Sequence, residues 1–237
     1  MLCDGQNAVV LGERECSVQR RHQKLIEESP SPVMTRSEVN EMGGIIARAV
    51  SDMGYRGAGT VEMLRDADGS LYFMEMNTRL QVEHTITEEV TGVDLVEQQL
   101  KIAANHPLDL AFETSGHAIE CRINAEDPTQ DFRPTPGCVE HLRLPSGEGI
   151  RVDTHLKQGD RISPHYDSMF AKVIAHGATR QQAIERMIAA LDATEVRGVS
   201  TTIPLHLAVL HHDEFTSGNY DTRFLERELP SLLGMKS

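Results

Sequence analysis

The chain has 237 residues, enough for one large or two modest domains, and its 39% hydrophobic and 25% charged content is that of an ordinary globular protein. A formal net charge of −13 argues against a nucleic-acid or anionic-membrane partner, which most of the surface would repel. No apolar run approaches the ~18 residues of a membrane span. The start, Met1-Leu2-Cys3-Asp4-Gly5, has neither a basic nor an apolar leader region, so a cytoplasmic location is expected. Cys3, Cys16, Cys121 and Cys138 are too scattered for a CxxC metal or redox motif and read as small packing residues.

In chain order, Asn7 to Gly12 reads as a strand, and Glu13 to Lys24 concentrates Arg14, Arg20, Arg21, His22 and Lys24 in one short segment of an acidic protein. Such a segment suits an anionic substrate; it equally suits a surface loop paired with Glu27 and Glu28. Ser29-Pro30-Ser31-Pro32 reads as an ordered loop. Thr35 and Glu38 form a capping box for a helix whose Val39, Met42, Ile45, Ile46, Ala49, Val50 and Met53 recur at helical spacing, with Gly54 as its stop.

Next comes a predicted hairpin, Gly59 to Leu64 and Leu71 to Glu75, turning at Asp68-Gly69. A register centred on that turn sets Glu62 opposite Glu75. Facing carboxylates repel, and a divalent cation between them reverses that cost, with the Asn77 carbonyl about 7 Å along the same face to complete an oxygen-rich shell. The alternation runs on through Tyr72 to His84: Glu75, Asn77, Arg79, Gln81 and Glu83 share one parity, while Met74, Met76, Thr78, Leu80 and Val82 share the other. An extended strand would then carry metal and anion binders on one face and a core on the other. A solvated acidic edge with Arg79 as ion-pair partner fits the same spacing.

Val90 to Ala104 reads as a single helix. From His117 onward come short strands at 117–125, 138–144, 150–155 and 170–176, then a helix capped by Thr179 and Gln182 with Ile184, Met187, Ile188 and Leu191 inward, and two short helices near 203–210 and 222–229. His211 and His212 sit at a solvated helix end, because adjacent helical side chains diverge. The fold class is α+β, in two units meeting near residues 107–116.

Four segments, Glu13 to Lys24, Gly54 to Thr60, Glu75 to His84 and Glu120 to Pro128, strongly resemble biotin carboxylase, the ATP-grasp component of biotin-dependent carboxylases. The resemblance implies that residues 1–107 are the C-terminal part of an ATP-grasp domain and 108–237 the biotin carboxylase C-terminal domain. It implies ATP-dependent carboxylation of biotin by bicarbonate through carboxyphosphate. The metal ligands for Mg²⁺ or Mn²⁺ would be Glu62, Glu75 and Asn77; the nucleotide contacts would be Gln19, His22, Glu62, Leu64 and Glu75. Bicarbonate would meet Lys24, Arg79, Gln81 and the Val82 backbone. Glu83 would be the general base and Arg79 would orient carboxyphosphate, while Arg122 would bind the biotin ureido oxygen. Tyr166 to Met169 also matches the family pattern, and His84 and His117 look structural.

Intact members are roughly twice as long, and the glycine-rich lid and N-terminal domain lie upstream of anything matched here. Phosphoryl transfer depends on positioning and charge neutralisation, so the isolated chain is expected to be inactive without an upstream half. The partners implied are that half, a biotin carboxyl carrier protein or domain, a carboxyltransferase that sets the final acceptor, and a second copy of the chain as a homodimer. A non-catalytic dimerisation or carrier-docking remnant is the competing reading. Another bicarbonate-using ATP-grasp ligase is a third, disfavoured by Arg122 within its motif.

Overall fold

The computed structural model describes residues 1–234. Its first elements are β1 (Leu2–Asp4), β2 (Ala8–Val9), β3 (Glu15–Arg20), β4 (Gln23–Ser29), α1 (Arg36–Asp52), β5 (Arg56–Ala58), β6 (Thr60–Arg65), β7 (Leu71–Asn77), α2 (His84–Thr91) and α3 (Leu95–Ala103). There follow β8 (His117–Asn124), β9 (Glu126–Asp127), β10 (Arg133–Pro134), β11 (Gly137–Cys138), β12 (His141–Arg143), β13 (Ile150–Thr154), β14 (Arg161–Ile162) and β15 (Met169–Gly177). The chain closes with α4 (Arg180–Asp192), β16 (Glu195–Arg197), α5 (Ile203–Leu210), α6 (Asp213–Ser217) and α7 (Phe224–Leu232). No described helix is long and apolar enough to cross a membrane. The elements form two compact units, residues 1–13 with 34–115 and residues 14–33 with 116–237.

In the first unit an antiparallel sheet of order β2-β1-β5 packs Leu2 and Ala58 with Leu11, Val93, Leu95 and Ile102. The Thr35–Glu38 capping box is formed, satisfying two backbone donors at the start of α1. Of the apolar stripe expected to be buried, Val50 is; Ile45 and Met53 remain 46% and 66% exposed. The single helix expected over 90–104 is two. Gly92 takes a left-handed φ of 67° that ends α2, and the Asp94 carboxylate accepts from the Glu97 N–H (2.8 Å) to start α3.

The β6–β7 hairpin reaches its expected pairing by an unexpected route. Its loop spans Asp66 to Ser70, with the Gly69 N–H donating to Asp66 O (2.9 Å) and Gly69 at φ 90°, rather than a two-residue turn at Asp68-Gly69. Near the turn Leu64 therefore pairs with Tyr72 and Arg65 with Leu71, one residue out of the predicted register. A bulge between Glu62 and Met63 absorbs Met74 on β7 and restores Glu62 opposite Glu75.

The second unit is built on an antiparallel five-stranded sheet of order β13-β15-β8-β4-β3. One face carries Ile26, Ile119, Cys121, Ile123, Val173 and Ala175 against Ile184, Met187 and Leu191 of α4. The β3–β4 hairpin belongs here because β4 pairs with β8, a contact across about ninety residues that chain order does not display. Glu28 lies on this apolar face at 0% exposure. Its carboxylate accepts from His117 Nε2 (2.6 Å), Arg180 Nε (2.7 Å) and Nη2 (2.9 Å), and the Tyr220 hydroxyl (2.5 Å). Desolvation alone would raise the Glu28 pKa, but the hydrogen bonds from His117 and Arg180 outweigh it and hold the carboxyl below its ordinary range. Cys3 and Cys121 are buried, whereas Cys16 is half-buried and Cys138 exposed.

His206 on α5 is also fully buried, its Nε2 donating to the Arg122 carbonyl (2.7 Å). Burial depresses its pKa from 6.5 to about 4. A depressed base resists protonation in the fold but not in the unfolded chain, so stability is complete above the unfolded value and is lost as pH falls from about 6.5 towards 4. The loss attributable to this group is about 3 kcal/mol. Denaturant unfolding of His206→Gln, which keeps a donor but cannot titrate, should show a correspondingly flatter acid limb. Glu28→Gln should cost about 3 kcal/mol or more, because it leaves the Arg180 charge uncompensated; urea melts at neutral pH read this directly.

Candidate active-site residues

Glu62 and Glu75 face each other on the β6–β7 ladder, with Asn77 pairing Thr60 two positions along. The Asn77 amide nitrogen lies 2.8 Å from Glu75 Oε1 and 3.2 Å from Glu62 Oε1, and the Gln81 amide nitrogen 2.7 Å from Glu62 Oε1. Two amide side chains thus converge on two opposed carboxylates. An amide's oxygen and nitrogen exchange places by a flip about its terminal bond, so Asn77 can turn an oxygen towards a cation held by both acids. Among the described residues no group of three or more His, Cys, Asp or Glu side chains is arranged to hold a metal ion. Two carboxylates and an amide nevertheless suit a hard cation that keeps its waters and draws its remaining ligands from phosphates. Leu64 and Tyr72 oppose each other further along the face that carries Glu62, 48% and 56% exposed, and form an apolar ledge beside the acids.

The strand predicted to run to His84 ends at Asn77. Its partner β6 begins at Thr60, because the Gly59 N–H is given to Met1 O (3.0 Å), so no neighbour remains to extend the ladder. Arg79, Gln81, Val82 and Glu83 therefore lie in the connection to α2 rather than on one strand face. Met74, expected in a core, is 52% exposed. Arg79 is exposed and donates to the Leu80 carbonyl (3.2 Å). Gln81 folds back to Glu62, and Glu83 occupies the N-cap position of α2, both buried. His84 Nδ1 meets the Gln81 carbonyl at 2.8 Å, which braces this turn.

In the second unit Gln19 pairs with Lys24 and Arg20 with Gln23, leaving Arg21-His22 as a two-residue turn with φ of 48° and 65°. The basic segment is thus a hairpin tip rather than a loop. Arg20 packs its guanidinium 4.2 Å from the centre of the Phe132 ring and donates to Asp131 O (3.1 Å) and its carboxylate. His22 is exposed at the tip, and Gln19 and Lys24 are half-buried. Glu27 and Glu28, expected as possible counter-charges for this tip, are buried and hold Arg122 and Arg180.

Arg122 projects from β8 with its Nε donating to Glu27 Oε1 (2.6 Å) and its Nη2 at the same oxygen. Its carbonyl accepts from His206 Nε2 and from Thr202 Oγ1 (3.2 Å). Tyr166 is 84% exposed, while Ser168 donates to Glu126 and accepts from the Asn124 amide (3.0 Å). Sequence reasoning gave Glu27 the wrong partner, and it missed the roles of Glu120, Lys172 and Asp131. A signal existed for the first two: carboxylates inside otherwise apolar strands, Leu25-Ile26-Glu27-Glu28 and Ile119-Glu120-Cys121, are costly unless paired.

Two family models match the chain: "Carbamoyl-phosphate synthase L chain, ATP binding domain" over residues 1–111 and "Biotin carboxylase C-terminal domain" over residues 120–227. A biotin carboxylase of Haemophilus influenzae is 51% identical over 226 residues, 94% of this chain and 50% of its own length. Biotin carboxylase 1 of Bacillus subtilis is 50% identical over 224 residues, 93% of this chain and 50% of its own length. The crystal structure of the biotin carboxylase subunit of pyruvate carboxylase superposes with a TM-score of 0.96 at 44% identity, covering 100% of this chain and 53% of that one. The biotin carboxylase domain dimer of Hydrogenobacter thermophilus 2-oxoglutarate carboxylase, in complex with MgADP, ADP and bicarbonate, gives 0.93 at 43% identity, covering 96% and 51%. The chain spans about half the length of the curated relatives it matches. With an ATP-binding family model on the unit that carries the opposed glutamates and a C-terminal one on the unit that carries Arg122, the chain belongs to the biotin carboxylase family.

Proposed function

We propose that the chain supplies metal, bicarbonate and biotin residues for the ATP-dependent carboxylation of biotin. Glu62 and Glu75, with Asn77, hold Mg²⁺ or Mn²⁺; when bound, the cation neutralises charge on the nucleotide phosphates. Leu64 receives the adenine, and Gln19 and His22 contact the nucleotide. Lys24, Arg79, Gln81 and the Val82 backbone are assigned to bicarbonate. Glu83 takes the proton as a bicarbonate oxygen attacks the γ-phosphorus, the bond to the ADP oxygen breaks, and carboxyphosphate forms. Arg79 orients that intermediate, and Arg122 stabilises negative charge on the biotin ureido oxygen while its ring nitrogen takes the carboxyl group.

The observation that carries this reading is the convergence of Asn77 and Gln81 on the opposed carboxylates of Glu62 and Glu75. A scaffold or docking remnant has no physical need for two facing acids, which destabilise a ladder. The names of the relatives, and the MgADP and bicarbonate bound by one of them, support the substrate class. For partners we infer an upstream half, a biotin carboxyl carrier, a carboxyltransferase and a second copy. Exposed Ile45, Met53, Phe73 and Met74, all in the first unit, support a further polypeptide there.

Bicarbonate-dependent ATP cleavage with free biotin should be negligible for the chain alone and appear when it is mixed with a separately expressed upstream half. Turnover by the chain alone at an intact enzyme's rate contradicts the need for that half, and inactivity of both samples favours the scaffold. A second prediction needs no turnover. Glu75→Gln should stabilise the metal-free chain by roughly 0.2–1 kcal/mol through lost cross-strand repulsion, and should abolish the thermal stabilisation that Mg²⁺ gives the wild type.

A further inference from the structure

The face of the five-stranded sheet turned away from the α4 core carries a row of charges. Glu27 on β4 is the Cα partner of Glu120 on β8, Arg122 on β8 is the partner of Lys172 on β15, and Lys172 is the partner of Asp153 on β13. The Glu27 and Glu120 side chains are both 0% exposed. Two buried carboxylates directly opposite each other repel and are costly to desolvate. Each is met diagonally by a cation: Lys172 Nζ lies 3.5 Å from Glu120 Oε2, and the Arg122 guanidinium engages Glu27 Oε1 through Nε and Nη2.

Arg122 is held at its other end as well. Its carbonyl accepts from His206 Nε2 and Thr202 Oγ1, and Thr202 is latched in turn to Asn124, N–H to O at 3.2 Å and Oγ1 to N–H at 3.1 Å. An arginine side chain has several freely rotating bonds and loses rotamer entropy when it is held. Fixing both the backbone carbonyl and Nε leaves its guanidinium plane little freedom, which is the pre-organisation a developing oxyanion requires.

We infer that Glu27 is a positioning residue for biotin carboxylation: through its buried carboxylate it sets the orientation in which the Arg122 guanidinium meets the ureido oxygen. The inference rests on the reading of Arg122 as the biotin residue. Simple neutralisation of a buried charge makes a different forecast. Glu27→Asp keeps the charge and loses the reach, while Glu27→Gln keeps the shape, loses the charge and relieves the opposition to Glu120. Positioning requires both to fail; neutralisation requires the aspartate to serve.

The test uses the full chain, labelled with ¹⁵N, and follows the arginine Nε–H resonances, with Arg122 assigned from an Arg122→Lys sample and biotin as its sodium salt for the probe. In the wild type the Arg122 Nε–H should exchange slowly and shift on adding biotin. In both Glu27 variants its exchange should accelerate, and the biotin concentration for half-maximal shift should rise, each by about tenfold or more, at a temperature where the amide spectrum shows the variant folded. A Glu27→Asp or Glu27→Gln chain that retains the wild-type exchange and biotin response overturns the inference, as does rapid exchange in the wild type. A protected Arg122 that ignores biotin in the wild type overturns the biotin reading of Arg122 and leaves the anchor standing.

Discussion

Three carboxylates in the interior of one sheet organise the second unit. Glu27, Glu28 and Glu120 sit in the central strands β4 and β8, each essentially without solvent, and an ion so placed is tolerated only when a cation and hydrogen-bond donors reach it. On the helix-covered face the demand of Glu28 draws in Arg180 from α4, His117 from β8 and Tyr220 from the segment before α7. On the other face Glu27 and Glu120 draw in Arg122 and Lys172. The first set ties the hairpin β3–β4 to distant parts of the chain. The second orders the charged row on which the proposed biotin residue lies. One strand thus serves stability and chemistry through consecutive residues that point to opposite faces.

The first unit carries a tension of the other kind. Its facing glutamates are exposed or half-buried rather than enclosed, and they are bridged by amides instead of cations. Amide donors soften the repulsion without neutralising it, so the pair keeps the negative charge that the proposed divalent ion would meet. Gln81 reaches Glu62 only because the chain leaves the ladder after Asn77 and folds back into the turn before α2. A continuous strand would have carried Gln81 away from the pair. The interruption that defeats the simple alternation is therefore what adds a fourth side chain to the cluster.

Local chemistry made α1 and α4 legible: a capping box at Thr35 and Glu38 and a cap at Thr179 with Gln182 mark their starts within a residue or so. The facing of Glu62 and Glu75 was legible too, although two departures cancel within it, a longer loop at Asp66 to Ser70 and a bulge at Met74. What could not be read is what depends on a distant partner. The strand from Tyr72 stops because β6 has no more residues to offer, and the polar alternation beyond Asn77 continues with no ladder beneath it. The break at Gly92 was visible as a residue but not as a decision, since glycine is tolerated within helices when packing favours it. The pairing of β4 with β8 leaves no trace in either strand except the carboxylates that each encloses.

The two clasped turns of the second unit have a bearing on how this sequence can drift. Arg21 and His22, and against them Asp131 and Phe132, all adopt positive φ, a conformation that costs residues other than glycine and asparagine and that glycine takes freely. For the backbone alone, glycine at Arg21 or His22, both exposed, would be an improvement of up to about 1 kcal/mol, whereas Phe132 is buried in the core and Asp131 pairs with Arg20 and Arg21. Mutation alone, acting on a chain that had only to stay folded, would be free to find those glycines. Two exposed side chains, Arg21 and His22, kept where the backbone disfavours them mark the hairpin tip as a place where something other than stability has been choosing the residues.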